Sequence, residues 1–126
     1  MEKEIERAFM KAEAGVDYFI TQPVFELEVL SYFISRISKT KVPVIAGIWP
    51  RASYRNALFL NNEVPGVTIP SDIMKRMELQ KTSDGARNEG IKIARNAIDQ
   101  MKGQITGIQL SPPFGRIDTV LEVIAP

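Results

Sequence analysis

Apolar positions along this chain alternate between two spacings, and the switches mark out its elements. Ile5, Phe9 and Ala12 recur at helical intervals with charges between them. Residues 16–20 then form a short run rich in β-branched and aromatic side chains, broken only by Asp17; its composition and length suit a strand. Gly15, between the two patterns, reads as a helix C-cap. Pro23 has no N–H for a ladder, so the strand is expected to stop at Thr21 or Gln22. Helical spacing returns with Leu27, Leu30, Phe33, Ile34 and Ile37, and Glu26 and Glu28 stand in the first turn, where carboxylates suit the helix dipole.

Residues 42–48 read as a buried strand, with regular pairing confined to the positions after Pro43. Ser53 is placed to cap a short helix carrying Tyr54, Ala57, Leu58 and Phe59. Ser71 is placed to cap another over residues 72–78. Thr82 or Ser83 then caps a long helix whose apolar face is Ile91, Ala94, Ala97, Ile98 and Met101, ended by Gly103. Gly90 in its middle costs ~1 kcal/mol against alanine and points to close packing there. Residues 105–110 read as a third strand, Ser111-Pro112-Pro113-Phe114-Gly115 as a stiff loop, and Ile117, Val120, Leu121 and Ile124 as the apolar face of a last helix.

Strands alternating with helices imply parallel strands joined by right-handed crossovers. A complete eight-fold barrel takes about 250 residues, and this chain has 126. The fold class expected is therefore α/β: three parallel strands with flanking helices, as the C-terminal half of a (β/α)8 TIM barrel, with residues 1–126 as a single partial barrel domain. A small self-sufficient three-stranded domain is the other possibility. A half-barrel leaves one sheet face bare. One of Phe19 and Ile20, one of Val44 and Ile45, and one of Ile108 and Leu110 are then expected to line it.

Charge and composition remove several functions. The net charge is +1, which gives no footprint for nucleic acid. No apolar run reaches the ~18 residues of a membrane span. The charged start lacks the apolar core of a signal peptide, so a cytoplasmic location is expected. The chain has neither cysteine nor histidine, which excludes Ser-His-Asp and Cys-His triads and zinc sites of the usual kind. Chemistry here falls to carboxylates, Lys, Arg, Tyr, amides or a borrowed cofactor. Gln22 is the notable candidate: an uncharged amide at the carboxyl end of a buried strand, the end that faces ligands in α/β folds. It either ties down a loop or reads the edge of a heterocycle with its two donors and one acceptor.

Ala14-Gly15-Val16-Asp17-Tyr18-Phe19-Ile20-Thr21-Gln22-Pro23-Val24-Phe25, Val44-Ile45-Ala46-Gly47-Ile48-Trp49-Pro50 and Gly66-Val67-Thr68-Ile69-Pro70 resemble the methylenetetrahydrofolate reductase family. Ser53-Tyr54-Arg55-Asn56-Ala57, Asn61-Asn62-Glu63-Val64-Pro65-Gly66 and Ser111-Pro112-Pro113-Phe114-Gly115-Arg116 are similar to the reductase half of bifunctional homocysteine methyltransferase/methylenetetrahydrofolate reductase proteins. The resemblance covers nearly the whole chain and corresponds to the last three strands of the family's barrel.

That resemblance implies FAD at the carboxyl ends of the strands, and hydride passed from NAD(P)H through the flavin to 5,10-methylenetetrahydrofolate. It implies that Gln22 binds the pterin, Lys11 contacts FAD, and Asn56 contacts folate. Leu60 stands near a position where some relatives stack an aromatic ring. Arg116 meets the folate's glutamate tail, or else pairs with Asp118. The family's general-acid glutamate and flavin-side aspartate come from earlier strands with no counterpart here, so no catalytic residue is assigned. The alternative is a non-catalytic fragment or barrel-completing subunit, which binds folate or flavin only with an N-terminal half-barrel or by self-association. A structural α/β module without ligand is the remaining reading.

Overall fold

A computed structural model describes residues 1–126. The chain runs α1 (Glu2–Glu13), β1 (Phe19–Pro23), α2 (Leu27–Ile37), β2 (Val44–Ile48), α3 (Tyr54–Glu63), α4 (Ser71–Glu78), α5 (Ser83–Met101), β3 (Gly107–Leu110) and α6 (Ile117–Ile124). Single 3-10 turns follow α2 and β3. The strands form one parallel sheet in the order β1-β2-β3. Three parallel strands with flanking helices are a section of a (β/α)8 barrel wall, as the alternation of elements implies.

Local chemistry explains the boundaries. Gly15, at φ +93°, ends α1 in a Schellman turn: its N–H donates to the Ala12 carbonyl and the Val16 N–H to that of Lys11. That turn occupies Val16, so β1 begins later than the apolar run does, where the Phe19 N–H meets the Pro43 carbonyl at 2.9 Å. Pro23 lies inside the strand, contrary to expectation. β1 is an edge strand, Pro23 sits past a register shift opposite Gly47, and the next N–H, of Val24, carries the bond to the Gly47 carbonyl. Ser53 and Thr82 cap α3 and α5 by accepting from the Asn56 and Gly85 N–H groups. Ser71 does not cap α4; it is the first helical residue and Pro70 holds the cap position.

One face of the sheet is covered. Phe19 and Val44 pack with Ile5, Ala8 and Ile37 of α1 and α2. Ala46, Ile48, Ile108 and Leu110 pack with residues of α2, α5 and α6, among them Leu30, Ile91, Met101 and Val123. A third cluster, with Phe25, Leu60, Ile69 and Met77, sits under α3, α4 and α5. Gly90 allows α5 to lie on the chain after β2: a Cβ there would stand 1.9 Å from the Arg51 carbonyl oxygen. The close packing expected at Gly90 is therefore present. Arg87 ties α5 to α6 through Glu122 at 2.7 Å and Asp118 at 3.4 Å.

The opposite face is bare. Register puts Ile20 beside Ile45, Ile45 beside Gly107, and Gly47 beside Gln109. Ile20 is 55% exposed. The expectation for β3 needs correction: Ile108 and Leu110 share one parity and both face the helices, so β3 gives the bare face Gly107 and Gln109. No helix is long and apolar enough to cross a membrane.

Candidate functional site

The carboxyl ends of the strands meet two irregular connections, the segment from β2 into α3 and the loop from β3 into α6. Between them lies a cavity of about 500 Å³. Trp49 and Pro50 come from the end of β2, Asn56, Phe59 and Leu60 from α3, and residues 111–114 from the loop after β3. That loop is fixed by consecutive left-handed residues, Phe114 at φ 52° and Gly115 at φ 74°. A phenylalanine in this region is uncommon; here it leaves the ring 80% exposed at the mouth.

Asn56 and Leu60 are on this cavity. The Asn56 side-chain oxygen accepts from the Ala52 N–H at 3.2 Å, and its own N–H is held by Ser53 at 3.0 Å. Its NH₂ makes no hydrogen bond within the chain and remains available as a donor. Leu60 is turned into the core and only 6% exposed. The exposed ring on this helix is its neighbour Phe59. Two aromatic rings, Phe59 and Phe114, therefore flank one opening.

Gln22 stands on the bare face at the carboxyl end of β1. Its backbone is clamped: the Thr21 hydroxyl donates to the Gln22 carbonyl at 2.7 Å and accepts from the Gly47 N–H at 3.0 Å. Gly47 permits that approach, since a Cβ there would meet the Thr21 carbonyl oxygen at 2.8 Å. The Gln22 side chain is exposed, makes no hydrogen bond within the chain, and reaches toward Gly66 in the α3–α4 connection. A second amide, Gln109, faces the same way beyond Gly47 and donates to the Ser111 hydroxyl at 3.0 Å. Sequence reasoning does not single out Gln109 or Phe59 for the site. The signal for Gln109 is a polar residue late in an apolar strand, matching Gln22 in β1.

Arg116 lies two residues beyond the cavity wall and donates to Asp118 at 2.7 Å. This bond is the first cause holding the Asp118 carboxyl below its ordinary range. Lys11 is exposed on the last turn of α1, the turn leading to the amino end of β1. The fold does not bring it to the mouth lined by Asn56. One exposed lysine at that end does not make a flavin site, and no group of acidic side chains here could hold a metal ion.

Comparison with known proteins gives the context. The family model described as methylenetetrahydrofolate reductase matches residues 1–110. A fission yeast (Schizosaccharomyces pombe) protein named methylenetetrahydrofolate reductase 2 is 29% identical over 108 residues, which cover 77% of this chain and 17% of that protein. A solved structure of an uncharacterized protein from Clostridium thermocellum, described as binding two copies of 5-methyl-5,6,7,8-tetrahydrofolic acid, superposes with a TM-score of 0.65 at 22% identity. It is matched over 98% of this chain and 46% of its own. This chain thus spans less than half of each relative.

Proposed function

The chain belongs to the methylenetetrahydrofolate reductase family, and from that premise we propose that it supplies the folate-binding wall of a reductase that forms 5-methyltetrahydrofolate from 5,10-methylenetetrahydrofolate. The reductant would be NAD(P)H acting through FAD. The observation that carries the reading is a pair of amides, Gln22 and Asn56, at the carboxyl end of the sheet with hydrogen-bonding capacity unused by the protein. Amides suit the edge of a pterin, which offers both donors and acceptors. Phe59 and Phe114 offer faces for the ring beside it. Arg116 is the candidate for the folate's glutamate tail, for which it would exchange the carboxylate of Asp118 for one of the ligand's.

Flavin contacts beyond Lys11, and the acid that assists the second hydride transfer, would come from the rest of the barrel. This chain's own residues do not make up a flavin site. The relatives' greater length supports the same division. It also supports the second reading, a barrel-completing piece that binds folate without catalysing anything alone. We further propose that the reductase is of the kind found in bifunctional homocysteine methyltransferase/reductase proteins, on the resemblance of residues 53–57, 61–66 and 111–116.

The test separates the two half-reactions in a complete barrel carrying this segment. NADH-driven reduction of menadione reports the flavin step, and reduction of the folate reports the second. Gln22→Ala is expected to leave the first intact and weaken the second by the ~1–3 kcal/mol of one unsatisfied buried partner. Equal damage to both would make Gln22 a structural residue. Absence of folate turnover in the unmutated barrel would end the reductase reading.

A further inference from the structure

A second cavity, of about 530 Å³, lies between the start of α2, α4 and α5 and shares only Trp49 with the first. Its lining mixes apolar side chains, Phe25, Leu27, Ile48, Trp49 and Ile93 among them, with charged and polar ones. Into this lining the chain places Arg51, which is only 4% exposed. Its guanidinium stacks on the Phe25 ring at 4.5 Å. None of the chain's ion pairs includes Arg51. Its Nε is sealed from solvent with no hydrogen-bond partner, and its terminal nitrogens have no acceptor in the protein.

A buried charge without a partner is costly and is ordinarily paired. This one is also held in place. Its backbone is pressed against α5 at Gly90, where no Cβ could be accommodated. Burial lowers its pKa to about 10, and the charge of Arg76, on the same cavity, acts in the same direction. Arg76 is already engaged by Glu89 at 2.7 Å. Glu26, Glu28 and Asp72 also border the cavity, but none of the three reaches Arg51.

We infer that this cavity binds a small carboxylate with an apolar body, the carboxylate taken by the free donors of Arg51 and the body by the apolar wall. A guanidinium fork matches a carboxylate bidentately. The apolar side chains beside Arg51, Phe25 and Trp49 among them, favour a short alkyl or aromatic group over a bare inorganic anion.

Trp49, the single tryptophan, lines both cavities, so its signal is assigned to this one by comparison with an Arg51 variant. The 126-residue chain is titrated with hexanoate, with hexanamide as the neutral isostere and inorganic phosphate as the anion without a body. Saturable change in Trp49 fluorescence and a rise in melting temperature are expected with hexanoate, with at least roughly tenfold weaker responses to the other two. Arg51→Met, with its fold checked by circular dichroism, should lose the hexanoate response by a similar factor. Equal responses to hexanoate and hexanamide would overturn the inference without reference to any variant. So would a folded Arg51→Met chain that binds hexanoate unchanged, or no response to hexanoate at all. That last result would mean that a rim carboxylate or solvent serves Arg51.

Discussion

The two faces of the sheet carry opposite chemistry on the same strands. Toward the helices, Val44, Ala46 and Ile48 are between 0% and 5% exposed. Toward the bare side stand Ile20, 55% exposed, and two exposed amides, Gln22 and Gln109. A free-standing antiparallel sheet often has one solvated face, but a parallel sheet is nearly always covered on both. The bare face is therefore a surface made to be covered, and the two amides Gln22 and Gln109 lie along it. The buried core lies on one side of the sheet, and the amides of the proposed folate wall on the other.

The largest test of this division compares isoleucines. Ile48→Ala, in the covered core, should cost ~2–5 kcal/mol in a urea melt. Ile20→Ala on the bare face should stay within ~0.5 kcal/mol for the folded unit. Equal losses would show that the bare face is packed after all. Glycines make the same comparison on a smaller scale. Gly90→Ala drives a methyl into the Arg51 carbonyl and should cost ~1–3 kcal/mol. Gly107 has nothing nearer than 3.9 Å to a new Cβ, so Gly107→Ala should leave the melt nearly unchanged.

Arg51 is the exception on the covered side, a charge among apolar residues. Arg51→Met should raise stability by about 1–2 kcal/mol in the absence of ligand, by removing an unsatisfied buried donor. A loss of stability would mean that the guanidinium is paired in solution.

The smallest effect belongs to the surface pair of Arg116 and Asp118. Arg116 lowers the Asp118 carboxyl below its unfolded value of 3.8. The pair's contribution is therefore complete above that pH and is lost as the pH falls through the folded value. Arg116→Ala should shrink this acid-limb dependence to the smaller part held by the Thr119 N–H and Arg87, read from a series of melts that starts above the unfolded value and descends through the folded one.

Much of this was legible in the sequence. The order of elements, the caps at Ser53 and Thr82, the turn at Gly15 and the tight spot at Gly90 all rest on local chemistry, which a sequence displays. The start of β1 falls later than the apolar run because the Schellman turn consumes Val16, and Pro23 does not end the strand because an edge strand tolerates proline. The choice of inward residues in β3 depends on register, which Ile108 and Leu110 share and composition does not reveal. At the site, Gln22 is visible as a polar residue at a strand end, whereas Asn56 is a candidate only through the family resemblance. Phe59 does not stand out, because the choice between it and Leu60 turns on a helix rotation set by the core beneath. Arg51 is invisible for a similar reason: it is buried by α4 and α5, which arrive later in the chain.

The most direct measurement of the division between faces is sedimentation of the pure 126-residue chain, with dye binding by ANS alongside. Exposed Ile20 and two unpaired strand edges forfeit burial worth ~1.5–3 kcal/mol per large side chain and leave backbone groups free to pair. The expected result is a dimer or larger species, or a loosely packed chain that binds ANS, with Ile20→Ser shifting the distribution toward monomer. A compact monomer with a sharp thermal transition and no ANS binding would contradict it, because the bare face would then need no cover.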